Sequence, residues 1–315
     1  MRITVIRGGM LTTVQDGGRL GYQSQGFSVG GALDRQALRT GNLLLGNPPE
    51  TAGLEVTLFG PELRFEGFGT IALTGGAFAA TLAGEPVSPY RALQVARDDV
   101  LKIEGARNGT RCYVTFAGGI KVPEVMGSRS TSLRGGIGGY EGRQLQSGDV
   151  LETGWAGWLP RVDRRRIPAP DYGADEDAIR VIPGPQEYLF TPEGIGTFYH
   201  SVYRISERSD RMGYRLEGPA IAMKGSSDIL SDGTAEGAIQ VSSSGQPIVL
   251  LADRQTTGGY GKIATVISVD ISRLVQRGAG REVRFQAVSV EEAQELRRKE
   301  AAEMDKLRRK FRRFF

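Results

Sequence analysis

Histidine and cysteine are almost missing: the 315-residue chain has one of each, His200 and Cys112. A single cysteine forms no internal disulfide, which excludes a disulfide-stapled scaffold and points to a reducing compartment. Zinc sites draw three or four ligands from Cys, His and carboxylate, so a Cys/His-rich site is excluded and no metal is expected. A Ser-His-Asp or Cys-His enzyme would have to use His200. That residue sits between Phe198-Tyr199 and Ser201-Val202-Tyr203, in a run that reads as β and as a structural or surface position. Cys112 lies in an apolar strand and reads as an inert core thiol. Long apolar runs are missing too. None approaches the ~18 residues of a membrane span, and the first residues lack the apolar run of a signal peptide. The expectation is a soluble, cytoplasmic protein without membrane association.

Glycine is the opposite case. It makes up 45 of 315 residues, about twice the usual ~7%. The excess is spread through short turns, which suits many short strands joined tightly. Apolar runs bounded by turn residues occur at 69–76, 111–119 and 246–253. The pair Asp98-Asp99-Val100-Leu101 and Gly148-Asp149-Val150-Leu151 hints at repeated β modules. Two helices are predicted. One runs from Leu33 to Leu45 with Gly46 as its C-terminal stop. The other runs over about 290–314, with a stripe of Ala293, Leu296, Met304, Leu307, Phe311 and Phe314 interrupted by Glu300.

The stretch Leu159 to Pro170 carries three prolines and the basic run Arg164-Arg165-Arg166, followed by Asp175-Glu176-Asp177. That switch of charge marks a boundary. The expected organisation is an N-terminal β-rich domain over 1–165, a linker over 166–175, a C-terminal β-rich domain over 176–289, and a basic helix over 290–315. The helix also explains the pI near 9.2. Residues 291–315 hold nine Lys/Arg and six Asp/Glu, so three of the four net positive charges sit there. The run Lys306 to Arg313 reads as a solvated helix end, with an RNA- or phosphate-binding tail or a partner-docking helix as the functional alternatives, and nucleic acid is not an expected partner.

Nucleotide motifs fail. The nearest approach to a P-loop, Gly258-Gly259-Tyr260-Gly261-Lys262-Ile263, lacks the opening glycine and the hydroxyl, so there is no Walker motif. The Gly135 to Gly142 segment puts Glu141 where a dinucleotide loop needs glycine. Ala222-Met223-Lys224 copies most of a biotinylation site but continues with Gly225. The chemistry-bearing signal is instead four polar, glycine-bearing clusters. They are Thr12 to Tyr22, Met126 to Thr131 with the glycine loop after it, Arg208 to Pro219, and Asp253 to Tyr260. Backbone amides beside Arg, Thr and Gln suit an anion or a planar amide. With histidine excluded, proton transfer would fall to Asp, Glu, Lys or Tyr.

Within these clusters, Thr13-Val14-Gln15-Asp16-Gly17-Gly18-Arg19, Gly127-Ser128-Arg129-Ser130-Thr131, Ser209 to Gly218 and Asp253 to Tyr260 resemble the allophanate hydrolase subunit 2, or biotin-dependent carboxyltransferase, family. The resemblance covers about residues 1–290 in order. Gly261 stands where the family has proline, and Ala279-Gly280-Arg281 replaces Pro-Gly-Asp. The family includes the C subunit of bacterial ATP-dependent 5-oxoprolinase, the branch the chain resembles most. It also includes a kinase-inhibitor antagonist and part of urea carboxylase. The resemblance implies a mainly β fold of two cyclophilin-like β-barrel domains with few helices and a C-terminal helix. It implies a heteromer with the B and A subunits of such an enzyme, and ATP-driven opening of 5-oxo-L-proline to L-glutamate, with ATP handled together with a partner subunit. The alternatives it leaves are a urea-type carboxyltransferase subunit, which alone would involve biotin, and a non-enzymatic antagonist of a kinase inhibitor. Asp16, Arg211 and Asp253 are the expected catalytic residues. Arg19, Ser128, Arg129, Ser130, Tyr214, Gln255, Thr256, Gly258, Gly259 and Tyr260 are the expected substrate-binding residues. Arg19 and Arg211 would bind a carboxylate or phosphate, Gln255, Thr256 and the amides of Gly258 and Gly259 the amide oxygen, and Asp16 or Asp253 would orient an Arg.

Overall fold

The computed structural model describes residues 1–155, 157–172 and 177–312. Asp175, Glu176, Arg313 and Phe314 lie outside the described residues. The described residues are mainly β, with four helices. The chain forms two compact units: residues 1–20, 30–171 and 302–315 in one, and 21–29 and 172–301 in the other. Among the described residues no helix is long and apolar enough to cross a membrane.

The first unit holds nine strands: β1 (Arg2–Arg7), β2 (Leu11–Gln15), β3 (Gly53–Thr57), β4 (Glu62–Glu66), β5 (Gly69–Leu82), β6 (Glu85–Pro86), β7 (Ala92–Val95), β8 (Val100–Phe116) and β9 (Val150–Glu152). Their order is β2-β3-β8-β4-β1-β9, with β5 pairing β6, β7 and β8. The 17-residue β8 organises the sheet. Its start pairs β4 and its end pairs β3, while β5 follows it through three register shifts. Bulges of this kind bend a strand and curl the sheet. The enclosed core includes Ile3, Val5, Leu54, Leu63, Phe65, Leu101, Val114 and Phe116. Helix α1 (Arg35–Leu44) starts on Asp34, whose carboxylate accepts from the amide of Ala37, and stops before Gly46 at φ 73.

The echoed Asp-Val-Leu segments are one local device used twice. Asp99 accepts from the amide of Ala96 at 2.8 Å and Asp149 from the amide of Gln146 at 2.7 Å, each three residues back. In both cases the next residue opens a strand, β8 or β9.

The second unit holds β10 (Ile179–Pro183), β11 (Tyr203–Ile205), β12 (Gly213–Glu217), β13 (Asp228–Gly233), β14 (Ala238–Val241), β15 (Pro247–Leu250), β16 (Thr257–Tyr260), β17 (Lys262–Val266), β18 (Glu282–Val283) and β19 (Phe285–Ala287). Eight of them run in the order β18-β11-β12-β15-β14-β17-β10-β19. The two outermost strands, β18 and β19, are separated in sequence by Arg284 alone. The sheet's two edges therefore meet and it nearly closes into a barrel. β13 and β16 form a separate two-stranded arm.

Helix α2 (Pro192–His200) corrects the β reading around His200: Thr191 caps it, Pro192 opens it, and Phe198 stacks on Phe285 at 4.8 Å. His200 ends this helix, exposed, with Nδ1 2.8 Å from the carbonyl of Gly196. Helix α3 spans Ile271–Val275 and α4 spans Val290–Arg312. Along α4 the half-buried or buried positions are Ala293, Leu296, Glu300, Met304, Leu307 and Phe311, so Glu300 joins the stripe it seemed to interrupt.

Candidate functional site

The expected residues fall into two groups. Asp16, Arg19, Ser128, Arg129 and Ser130 meet in the first unit, where the chain leaves β2. Asp16 is buried and its carboxylate accepts four hydrogen bonds. Oδ1 accepts from the amide of Gly18 (2.8 Å), from Ser128 Oγ (2.8 Å) and from Ser130 Oγ; Oδ2 accepts from the amide of Arg129 (2.6 Å). Three of these four bonds fall on Oδ1 and one on Oδ2, so Oδ1 is fully engaged. Arg19, only 1% exposed, donates to the carbonyls of Val125 and Ser130, both at 3.0 Å. Arg129 donates to the carbonyl of Val122 and pairs with Glu124 at 2.7 Å.

The glycine loop that follows is clamped onto this knot. A Cβ on Gly139 (φ 55) would stand 1.8 Å from Thr131 Oγ1, so only glycine permits the approach. The dinucleotide-like glycines thus serve backbone packing. The first-unit residues form a rigid loop assembly in which Asp16 is the hub.

The second unit contains a cleft. Pairing puts Arg215 opposite Ile248, Ile248 opposite Gln240, and Gln240 opposite Lys262, so one rung crosses β12, β15, β14 and β17. Residues paired in this way share a face. The next rung is Gly213 opposite Leu250. The other face of the same strands carries Tyr214, Val249 and Ile239, all buried. Arg215, Ile248 and Gln240 of the first rung and Gly213 and Leu250 of the second floor a cavity of about 230 Å³, with Lys262 beside it. Its other walls come from Asp210, Thr234 and the stretch through Gln255, Thr257, Gly258, Gly259 and Tyr260.

The arm lies close over this floor. A Cβ on Gly258 would stand 2.5 Å from Gln240 Nε2, and that amide nitrogen donates to the carbonyl of Tyr260 at 3.3 Å. Lys262, nearly buried, reaches Asp232 on β13 with Nζ–Oδ2 2.8 Å. Its hydrogen bond holds the Asp232 carboxyl below the usual carboxylate range. Arg254, nearly buried, also lines the cavity and donates to the carbonyls of Thr234 and Leu251. Ser28, from the 21–29 segment, donates to the carbonyl of Arg254 at 2.6 Å.

Four of the expected binding residues line this cavity: Gln255, Gly258, Gly259 and Tyr260. Thr256 does not; its carbonyl accepts from the amide of Thr234, and Thr257 takes the wall position. Tyr214 faces inward, with its hydroxyl donating to the carbonyl of Val275 at 3.1 Å. Arg211 and Asp253 pair with each other at the strand ends next to the cleft. Sequence reasoning missed Arg215, Gln240 and Lys262. The alternation Gly213-Tyr214-Arg215-Leu216-Glu217 already places Arg215 opposite in facing to Tyr214. For Gln240 and Lys262 no local signal exists, because only strand pairing brings them together.

Residues 25–287 match the family described as "Carboxyltransferase domain, subdomain A and B". The chain belongs to that family. It is 41% identical to the 5-oxoprolinase C subunit of Escherichia coli, over 94% of each chain. It is 39% identical to the 5-oxoprolinase C subunit of Haemophilus influenzae, again over 94% of each. Among solved structures, the K. lactis urea amidolyase superposes with a TM-score of 0.90 at 30% identity. That match covers 97% of this chain and 20% of the longer protein.

Proposed function

We propose that this carboxyltransferase-family chain is one component of a heteromeric, ATP-dependent 5-oxoprolinase that opens 5-oxo-L-proline to L-glutamate and turns over only with its partner A and B subunits. The observation that carries this reading is the end-to-end match to proteins named as the C subunit of 5-oxoprolinase, at 41% and 39% identity. The cleft of the second unit suits the substrate. At about 230 Å³ it falls below the roughly 300–1,000 Å³ of drug-sized sites, as a single small metabolite requires. Arg215 is exposed on its floor and, among the described residues, its guanidinium has no ion pair. It takes the substrate carboxylate, a charge-assisted contact. Gln255, Thr257 and the backbone of Gly258 and Gly259 surround the lactam amide, and donors there stabilise the oxygen as it gains negative charge.

Opening this lactam is unfavourable, and ATP would supply phosphoryl activation of the amide oxygen. The glycine segments of this chain do not fit a nucleotide. One is clamped on Thr131, and Gly258 to Lys262 forms β16 and the start of β17 rather than a loop leading into a helix. No step is therefore assigned to ATP on these residues; this chain's part is to bind and orient the lactam.

The test uses the complex co-produced with its partners, with ATP-dependent release of glutamate as readout. Arg215→Ala should raise KM at least tenfold while assembly and melting stay unchanged, and Arg215→Lys should recover part of the loss. Unchanged kinetics would remove Arg215 from the site. A urea-type carboxyltransferase is the second reading, favoured by the 30% identity to urea amidolyase. Biotin-dependent carboxylation of urea, without glutamate release, would replace the first reading with it.

A further inference from the structure

The first unit has its own cleft, of about 440 Å³, with Arg91, Gln94, Arg161 and Asp163 on its walls and Ala92 and Val162 at its base. It is built where the edge of β7 meets the residues after Trp158. Along that edge Trp158 Nε1 donates to the carbonyl of Val95 (3.1 Å), the amide of Ala92 to the carbonyl of Arg165 (2.8 Å), and Arg91 bridges Arg166. Between those anchor points the chain turns outward at Arg161, which takes the left-handed φ of 52. Non-glycine residues rarely take that conformation, and such strain gathers at functional sites. The base is rigid, since Val162 packs on a cluster of Leu44, Ala92, Leu159, Leu307 and Phe311.

That cluster joins two basic segments lying about 140 residues apart in the sequence. Residues 158–167 carry four Arg and one Asp, and 302–312 carry five Lys/Arg and two acids. With Arg91 they hold +7, against +4 for the whole chain, so the rest of the molecule is net negative. Several arginines elsewhere are paired with acids, as in Arg39–Glu50, Arg143–Asp149 and Arg180–Asp270. Among the described residues, Arg91, Arg161, Arg164 and Arg166 are exposed and have no such pair.

The geometry points to a binding site for a Mg²⁺-chelated polyphosphate chain, free or carried by a nucleotide, with Arg91 and Arg161 on the phosphate oxygens and Asp163 toward the metal. Guanidinium forks match phosphate geometry. Mg²⁺ is commonly held by one or two carboxylates plus the ligand's phosphates, which gives the lone acid of the cleft a role that a bare anion would not. The basic end of α4 adds attraction at longer range. The site lies in the first unit and stands independently of the lactam reading.

The chain has two tryptophans, Trp155 and Trp158, both in the segment leading into the Arg161 turn, so intrinsic fluorescence reports on the cleft. The experiment titrates the isolated full chain with Mg²⁺-tripolyphosphate at 0.15 M salt, where diffuse surface attraction is largely screened, with calorimetry as a second readout. Saturable binding is expected. Arg91→Ala with Arg161→Ala should weaken it at least tenfold, whereas Lys306→Ala with Lys310→Ala should weaken it less than twofold. Asp163→Asn should abolish the Mg²⁺ enhancement and tighten binding of metal-free tripolyphosphate. Equal affinity for Mg²⁺-ATP and Mg²⁺-tripolyphosphate assigns recognition to the phosphate chain, and tighter binding of ATP assigns the natural ligand to nucleotides. Four results overturn the proposal: no saturation, equal loss in both double variants, an unchanged Mg²⁺ effect in Asp163→Asn, or a single-stranded oligonucleotide of matched charge binding more tightly.

Discussion

Arg211 and Asp253 carry the pairing of β12 and β15 past the ends of both strands. The amide of Asp253 donates to the carbonyl of Arg211 at 3.0 Å, and the two side chains meet as a fork, Nε–Oδ2 2.9 Å and Nη2–Oδ1 3.1 Å. Arg211 is 6% exposed. Its guanidinium is thus engaged in holding the strands beside the cleft, and it acts on the site as a positioning residue.

Arg211→Ala should therefore show first as lost stability. Removing one partner of a largely buried pair strands the other charge, at about 3–5 kcal/mol. Denaturant melts of the isolated chain give the value, and the partial exposure of Asp253 places it at the lower end. Replacing both residues with apolar side chains should recover most of the loss. A melt unchanged from wild type would mean that the pair does not hold the strands, and Arg211 would return to consideration as a ligand-binding cation.

A second prediction concerns the close contact of the arm with the floor of the cleft. Gly258→Ala puts a methyl group 2.5 Å from Gln240 Nε2. The arm must lift or Gln240 must move, and either change reshapes the cavity. Overpacking of this kind costs about 1–3 kcal/mol. If the chain works in the proposed complex, Gly258→Ala should lower its kcat/KM at least tenfold, and adding Gln240→Ala should restore part of it. Equal activity in the single variant would show that the arm yields without consequence.

How much of this was legible beforehand depends on whether the signal was local. The predicted helix at 33–45, the stripe of α4 and the strand runs at 69–76 and 111–119 rest on periodicity and turn residues, and each became the expected element. His200 was misread because Phe198, Tyr199 and Tyr203 look like a strand, while the deciding feature was the Thr191-Pro192 helix start. The four clusters contain both a structural hub at Asp16 and cleft walls at Gln255 to Tyr260, and composition alone does not separate the two. Gln240 and Lys262 carry no local mark. They reach the site through strand pairing, and a bulge between β14 and β17 puts Lys262 opposite Gln240.

A third prediction follows from Asp149, the acid that forms the turn before β9. Burial pushes its pKa up, but hydrogen bonds from Arg143 and from the amide of Gln146, with the charge of Arg143, outweigh this and hold it below the usual value. A carboxyl depressed in the folded state stabilises the fold at pH above its unfolded pKa, ~3.9, and the benefit fades as pH falls through the lower folded value. Asp149→Asn should thus be less stable than wild type by a constant amount above about pH 5, and the gap should narrow steadily below about pH 4. Melts from acid to neutral pH test this; a gap independent of pH would assign the effect to packing instead of charge.

The last prediction separates the two readings of the basic C-terminal helix. Phe311 is 1% exposed and belongs to the cluster with Leu44, Leu45, Ala72, Ala92, Ala117 and Leu159. Four cations surround it in sequence, Lys306, Arg308, Arg309 and Lys310, and all are exposed. The apolar side of the last turns therefore anchors the helix, and the cations face solvent whether or not a ligand meets them. Phe311→Ala should cost about 3–5 kcal/mol, the usual penalty for emptying an aromatic site in a core. Exchanging the four cations for glutamine should shift stability by less than about 0.5 kcal/mol, as expected for exposed positions. If the glutamine variant instead melts as early as Phe311→Ala, the cations themselves hold the helix, and the apolar cluster is too weak to anchor it.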